Sequence, residues 1–228
     1  MYLAENIDSI THISVARTAV LLVFCLAVGG EALAQVKSET VSRDECGSLA
    51  PMGDFGPFDY RRAPPILATV EHYHFNADVE QLVKGETGSS VAADIVFVLH
   101  HFPNHPRALA ALARLAKKTK SERPPGADLA VSCFFLLAID FVPDDPKVRE
   151  IYGLHLWNFG KRDAALAQLK EAEKLGATDA NTAYNLGLIY YEKKDYENAL
   201  QYAKKAYAQG FPLPGLKTML KRVGKWED

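Results

Sequence analysis

The chain has no surplus of either charge, few cysteines and no apolar run long enough to cross a bilayer. Lys and Arg number 26 against 28 Asp and Glu, a formal net charge of -2. Nucleic-acid binding generally rests on a basic surplus, so the balance argues against that class of partner. Three cysteines in 228 residues exclude a disulfide-dense scaffold. The longest apolar run, Thr18 to Val28, is about eleven residues, where a spanning helix needs about twenty. Also missing are G-x-x-x-x-G-K-[ST], G-x-S-x-G, H-E-x-x-H and C-x-x-C, and with them the common phosphate, acyl-transfer, zinc-hydrolase and thiol-redox signatures. What is present, 48% hydrophobic and 24% charged residues, fits a globular protein with a useful core.

Residues 1–34 form a separate segment. Arg17, the apolar run, Gly29-Gly30 and Ala32-Leu33-Ala34 before Gln35 match the layout of a secretory signal peptide with an A-x-A cleavage site. Glu5, Asp8 and His12 are unusual ahead of such a run, and a start at Val15 would remove them. Cys25 lies inside the apolar run behind Val23 and Phe24, a poor setting for lipid attachment. Removing residues 1–34 leaves 25 charges of each sign and two cysteines, Cys46 and Cys133. The expected location is periplasmic or secreted, with no integral membrane anchor after processing. An oxidising compartment permits a Cys46–Cys133 disulfide, while two unpaired thiols are equally compatible with the sequence.

The stretch Ala183 to Leu200, "AYNLGLIYYEKKDYENAL", is helical in period yet holds a glycine mid-run. Glycine costs about 1 kcal/mol there against alanine, so another demand must favour Gly187. Sliding the chain along itself until Gly153 falls on Gly187 also places Trp157 on Tyr191, Ala165-Leu166 on Ala199-Leu200 and Ala172 on Ala206. A period of 34 with small residues in both helices and a polar turn between them resembles the tetratricopeptide repeat. That resemblance implies an all-α, right-handed helical solenoid in which Gly187 is a close-packing contact between paired helices.

The resemblance divides the chain into a head over 35–76, units at about 77–105, 106–145, 146–179 and 180–213, a capping helix at 214–222 and a tail at 223–228. The head, with "PMGDFGPFDYRRAPP", has no helical period and favours turns and extended backbone. Short helices are expected over 77–84 and 89–101, with Asn76 as a cap and "GETGSS" as the turn between them. His105-Pro106 and Asp145-Pro146 mark two more helix starts. The second unit is longer than the others by its loop "KTKSERPPG". The third and fourth units carry the pattern best, although Lys194 replaces a turn glycine, Ala177 and Phe211 a closing proline, and Ala183 a large aromatic.

In this family the first helix of each unit lines a concave groove. Carried over residue by residue, the groove would hold Arg107, Arg114 and Lys118 from the second unit. The third would add Leu154, Trp157 and Asn158, and the fourth Asn181, Tyr184, Asn185, Leu188 and Tyr191. Cations at one end and amides with aromatic rings at the other suit an extended peptide. The rings equally suit packing between neighbouring helices. The head tract Asp54, Phe55, Phe58, Asp59 and Tyr60 could itself lie against Arg107, Arg114, Trp157 and Tyr191. The resulting expectation is an exported, non-catalytic scaffold or adaptor without cofactor, binding a protein or peptide. The alternative is an envelope metal protein or enzyme built on His72, His74, His100, His101 and His105, five of the seven histidines. Sequencing the N-terminus of the exported protein is expected to find Gln35 or a residue close to it; Met1 retained in a membrane fraction would be the contrary result.

Overall fold

The computed structural model describes residues 41–50, 53–86 and 89–227; the signal-peptide expectation for 1–34 lies outside them. All regular structure among the described residues is helical. There, ten α-helices follow three short 3-10 turns: α1 Ile66–His74, α2 Ala77–Glu80, α3 Val91–His101, α4 Pro106–Thr119 and α5 Val131–Phe141 come first. They continue with α6 Pro146–Asn158, α7 Arg162–Lys174, α8 Ala180–Glu192, α9 Tyr196–Ala208 and α10 Gly215–Arg222.

The helix starts are written in local chemistry. Asn76 and Ser90 accept hydrogen bonds from the backbone of Val79 and Ala93, and Asp179 and Asp195 cap α8 and α9 in the same way. His105 is a less common cap. Its Nδ1 accepts from the Ala108 amide at 3.1 Å, which leaves the proton on Nε2, aimed at Glu71 Oε1 2.9 Å away. Burial pushes this imidazole below its usual range, so it caps as a neutral ring. Two successive turns between units, "FPNHP" at 102–106 and "VPDDP" at 142–146, share one backbone course. Phe102 sits at φ -133°, ψ 80° and Val142 at φ -134°, ψ 79°.

Pairs α6–α7 and α8–α9 make the closest helix-on-helix packing, with α4 against α6 and α10 closing the end on α8 and α9. Gly153 is where α6 and α7 meet. A Cβ there would stand 2.7 Å from Leu169 Cγ and 3.1 Å from the Ala165 carbonyl oxygen. Gly187 does not meet its own pair most tightly. A Cβ on it would stand 2.5 Å from Leu216 Cδ2 of α10, with Ala199 and Tyr202 of α9 at 3.4 Å. The turn after α6 has Gly160 at φ 76°, and its counterpart in the next unit, Lys194, keeps the same left-handed backbone at φ 63°. The turn geometry therefore survives the loss of glycine, at the steric cost of a side chain in that region.

Two sequence expectations are corrected. The head is not irregular throughout, because residues 66–74 form α1, which packs on α3 through Val70. Pro64 and Pro65 mask the helical period, but they precede the helix, where a missing N–H costs little. The expected helix over 77–84 stops at Glu80, since Leu82 turns left-handed at φ 62° and the Leu82 and Val83 amides bond back to Val79 and Asp78. Gly153→Leu is expected to lower stability in urea unfolding by about 1 to 3 kcal/mol, because Leu169 and the Ala165 backbone cannot both withdraw. Gly187→Ala is expected to stay within about 1 kcal/mol of the parent, since the Leu216 methyl can rotate and alanine is the better helix former.

Candidate functional site

The positions that the sequence assigns to a groove fall into three groups. At the basic end, Arg107 forks onto the Glu80 carboxylate, with Nε at 2.8 Å from Oε1, and lies 5.3 Å over the Phe75 ring. Arg114 donates to the Glu80 carbonyl. These two cations therefore tie α4 to α2 rather than present a free basic face, whereas Lys118 is exposed. The Arg107 guanidinium in turn holds the Glu80 carboxyl below its ordinary range, against the opposing effect of burial.

In the middle, Leu154 and Trp157 of α6 are buried, Trp157 at 8% exposure beneath the Arg162 guanidinium 5.6 Å from its ring. On α8, Tyr184 is fully buried. It stacks on Phe211 with centroids 3.9 Å apart, and its hydroxyl accepts from the Leu216 amide at 3.2 Å. Tyr184 is thus a packing residue joining α8 to the start of α10, and Leu188 belongs to the same core. Tyr191 and Asn181 are half-buried at the rim, Tyr191 against the Tyr196 ring at 5.3 Å.

The interior also holds buried polar atoms without a partner, Arg149 Nε and His155 Nδ1 among them, and two of the expected groove amides share that condition. Asn185 is 1% exposed, and neither its Oδ1 nor its Nδ2 has a hydrogen-bond partner; Asn158 has a buried Oδ1 in the same condition. An unpaired buried polar group costs about 1 to 3 kcal/mol, so the two orphaned atoms of Asn185 call for an explanation.

The head does not occupy these positions. The Phe58 amide donates to the His101 carbonyl at 2.8 Å and the Tyr60 amide to Asn104 Oδ1 at 2.8 Å. Asn104 Nδ2 donates to Asp59 at 2.8 Å and to Asp145 at 2.9 Å. The Tyr60 ring lies 4.3 Å from the His105 ring. The tract is thus seated on the α3–α4 and α5–α6 turns, away from Trp157 and Tyr191, and Phe55 is 60% exposed. Hydrogen bonding between main chain and turn polar groups decides this docking, which an aromatic–acidic composition does not reveal.

The histidines are dispersed among separate partners. His74 donates through Nδ1 to Asp94, His105 through Nε2 to Glu71, and His101 through Nδ1 to the Phe97 carbonyl. His100 faces Asp128, and His72 packs edge-on against Tyr73. Among the described residues no three His, Cys, Asp or Glu side chains are grouped to hold a metal. Ser89, Asp94 and His74 do not form a nucleophilic relay either, because Ser89 Oγ donates to the Asp94 carboxylate at 2.7 Å, where a relay would aim it at the imidazole.

A polar knot around Glu122 has no local signature in the sequence. This residue, in the long α4–α5 loop, accepts from His155 Nε2 at 3.0 Å and from the Ser132 hydroxyl at 3.1 Å, with Lys161 Nζ 3.5 Å away. Burial alone would raise this carboxyl, but the His155 bond and the His155 and Lys161 charges hold it at about 2. Asp59 is likewise held at about 2 by its Arg61 hydrogen bonds, against burial and with help from Asn104. Both carboxyls lie below their unfolded values of about 4, so their stabilisation is complete above pH ~4 and is lost as pH falls toward 2. The urea midpoint is expected to drop across that window. Glu122→Gln is expected to be less stable than the parent at pH 7 and to show a shallower drop; an unchanged slope in the variant would contradict the role assigned to Glu122.

Residues 153–212 match the family model described as tetratricopeptide repeat. No curated protein and no solved structure matches the chain. The matched segment runs from the close-packing glycine of α6 to just past the end of α9, the part of the chain in which one helix pair follows another at the regular spacing. Residues 153–212 are thus similar to the tetratricopeptide repeat family, and helices α6 to α9 carry that likeness.

Proposed function

We propose that the protein is an exported, non-catalytic scaffold that binds a protein or an extended peptide along the inward face of α6 and α8. Tetratricopeptide repeats generally mediate protein–protein interaction, which supports the scaffold class. The observation that carries the site is Asn185, whose Oδ1 and Nδ2 are both buried without a partner, together with the unpartnered Oδ1 of the partly buried Asn158. An amide side chain offers both a donor and an acceptor, the complement of a peptide group in an extended partner. A bound main chain that displaces the side chains covering Asn185 would supply the hydrogen bonds that the interior withholds. Export is supported by the apolar run ending in Ala32-Leu33-Ala34 and by a disulfide between Cys46 and Cys133, a linkage typical of oxidising compartments. Among the described residues no helix is long and apolar enough to cross a membrane.

Asn185→Leu separates binding from folding. Leucine keeps the branching of the side chain and replaces the two unsatisfied atoms by somewhat larger methyl groups, so stability is expected to stay within about 1 kcal/mol of the parent. Capture of the partner by the tagged protein from envelope extract is expected to fall sharply in the same variant. Undiminished capture with Asn185→Leu would overturn the assigned site.

A further inference from the structure

Helix α5 differs from the other second helices of the array. In α7 and α9 only three residues each are buried, Ala165, Leu169 and Ala172 or Ala199, Ala203 and Ala206. In α5 seven are buried, Val131 to Phe135 with Leu137 and Ala138. The main core accounts for one side, through Val131, Phe134, Phe135 and Ala138. The other side forms a separate small cluster, in which Cys133 and Leu137 meet Cys46, Val41 and Leu49 of the head. Residues 41–50 therefore lie as a strap over an apolar face that would otherwise meet solvent.

The strap is held mainly by one covalent bond. Cys46 and Cys133, 87 positions apart, form a disulfide. Apart from it the seat offers the Arg43–Asp140 ion pair, with side chains 38% and 53% exposed, and the partly buried Val41 and Leu49. Exposed ion pairs contribute little. The fit is also loose: a cavity of about 210 Å³ remains beneath the strap, lined by Leu49, His100, Leu129, Phe134 and Leu137 among others. Downstream, the head is secured independently by the Phe58, Asp59 and Tyr60 bonds to His101 and Asn104.

We propose that the Cys46–Cys133 disulfide is a redox latch, whose opening by a dithiol frees the strap and uncovers the outer apolar face of α5 while the helical array stays folded. A thiolate of the dithiol attacks one sulfur of the pair, forming a mixed disulfide and releasing the other cysteine as a thiolate that takes up a proton. The second thiol of the reagent displaces the first cysteine, which is protonated in turn, and the dithiol leaves as a cyclic disulfide. The disulfide of the protein is reduced by two electrons and the dithiol is oxidised by two.

The test uses the full chain carrying Cys25→Ala, with dithiothreitol as the dithiol and thiol titration to establish that two thiols appear on reduction and none before. Amide exchange over residues 41–50 is expected to speed by roughly tenfold or more on reduction, as for a locally opened segment. Binding of an apolar dye is expected to rise, with far-ultraviolet dichroism and exchange in α6–α9 unchanged. The double variant Cys46→Ser, Cys133→Ser is expected to match the reduced protein without reagent. Retained protection of the strap after reduction would overturn the latch, as would collapse of the whole array or two free thiols in the unreduced protein.

Discussion

The array depends on how closely α6 can approach α7, and that distance is set at Gly153, where even a methyl group would press on Leu169 and the Ala165 carbonyl. Because the approach is tight, Leu169, Ala165 and Ala172 of α7 are enclosed by their partner helix, and a helix this short is stabilised by packing rather than by propensity. The same step recurs at Gly187, but there the neighbour is Leu216 of α10. The last helix thus takes the role that a further unit would have, covering the end face with Leu216 and Leu220 and leaving Lys221 and Arg222 in water.

Where the helices end, polar side chains close the structure. Asn104 joins the head to two successive turns, and Glu122 joins the long α4–α5 loop to α6 and to Lys161 at the start of α7. On the outer surface of α7 and α9, Glu173 accepts from Lys170, Tyr202 and Lys205 at 2.7 to 2.8 Å, tying adjacent units across their exposed side. Each of these groups is satisfied by others brought to it from distant parts of the chain. Asn185 is not, although it is more deeply buried than Glu122 or Glu173.

Much of the fold is legible in residue order because its determinants are local. The period of 34, the small residues at the helix contacts, the caps Asn76, His105 and Asp145 and the polar turns all act within a few residues of themselves. The shorter elements are less legible. Helix α1 lies behind two prolines, and α2 is cut short by a left-handed leucine whose conformation no propensity favours.

The candidate site is legible as a set of positions but not as a set of roles. Sequence by itself determined the helical repeat and which helix carries residues such as Trp157, Tyr184 and Asn185, since 3.6-residue periodicity assigns each side chain to a helix face. Only the tertiary structure decided that Tyr184 stacks on Phe211, that Arg107 is spent on Glu80 and that Asn185 is left without a partner. It also decided that Cys46 reaches Cys133 and that the head seats on the turns rather than along the inward face. Those outcomes depend on contacts between residues tens of positions apart, whose geometry is set jointly by helices that no local pattern encodes.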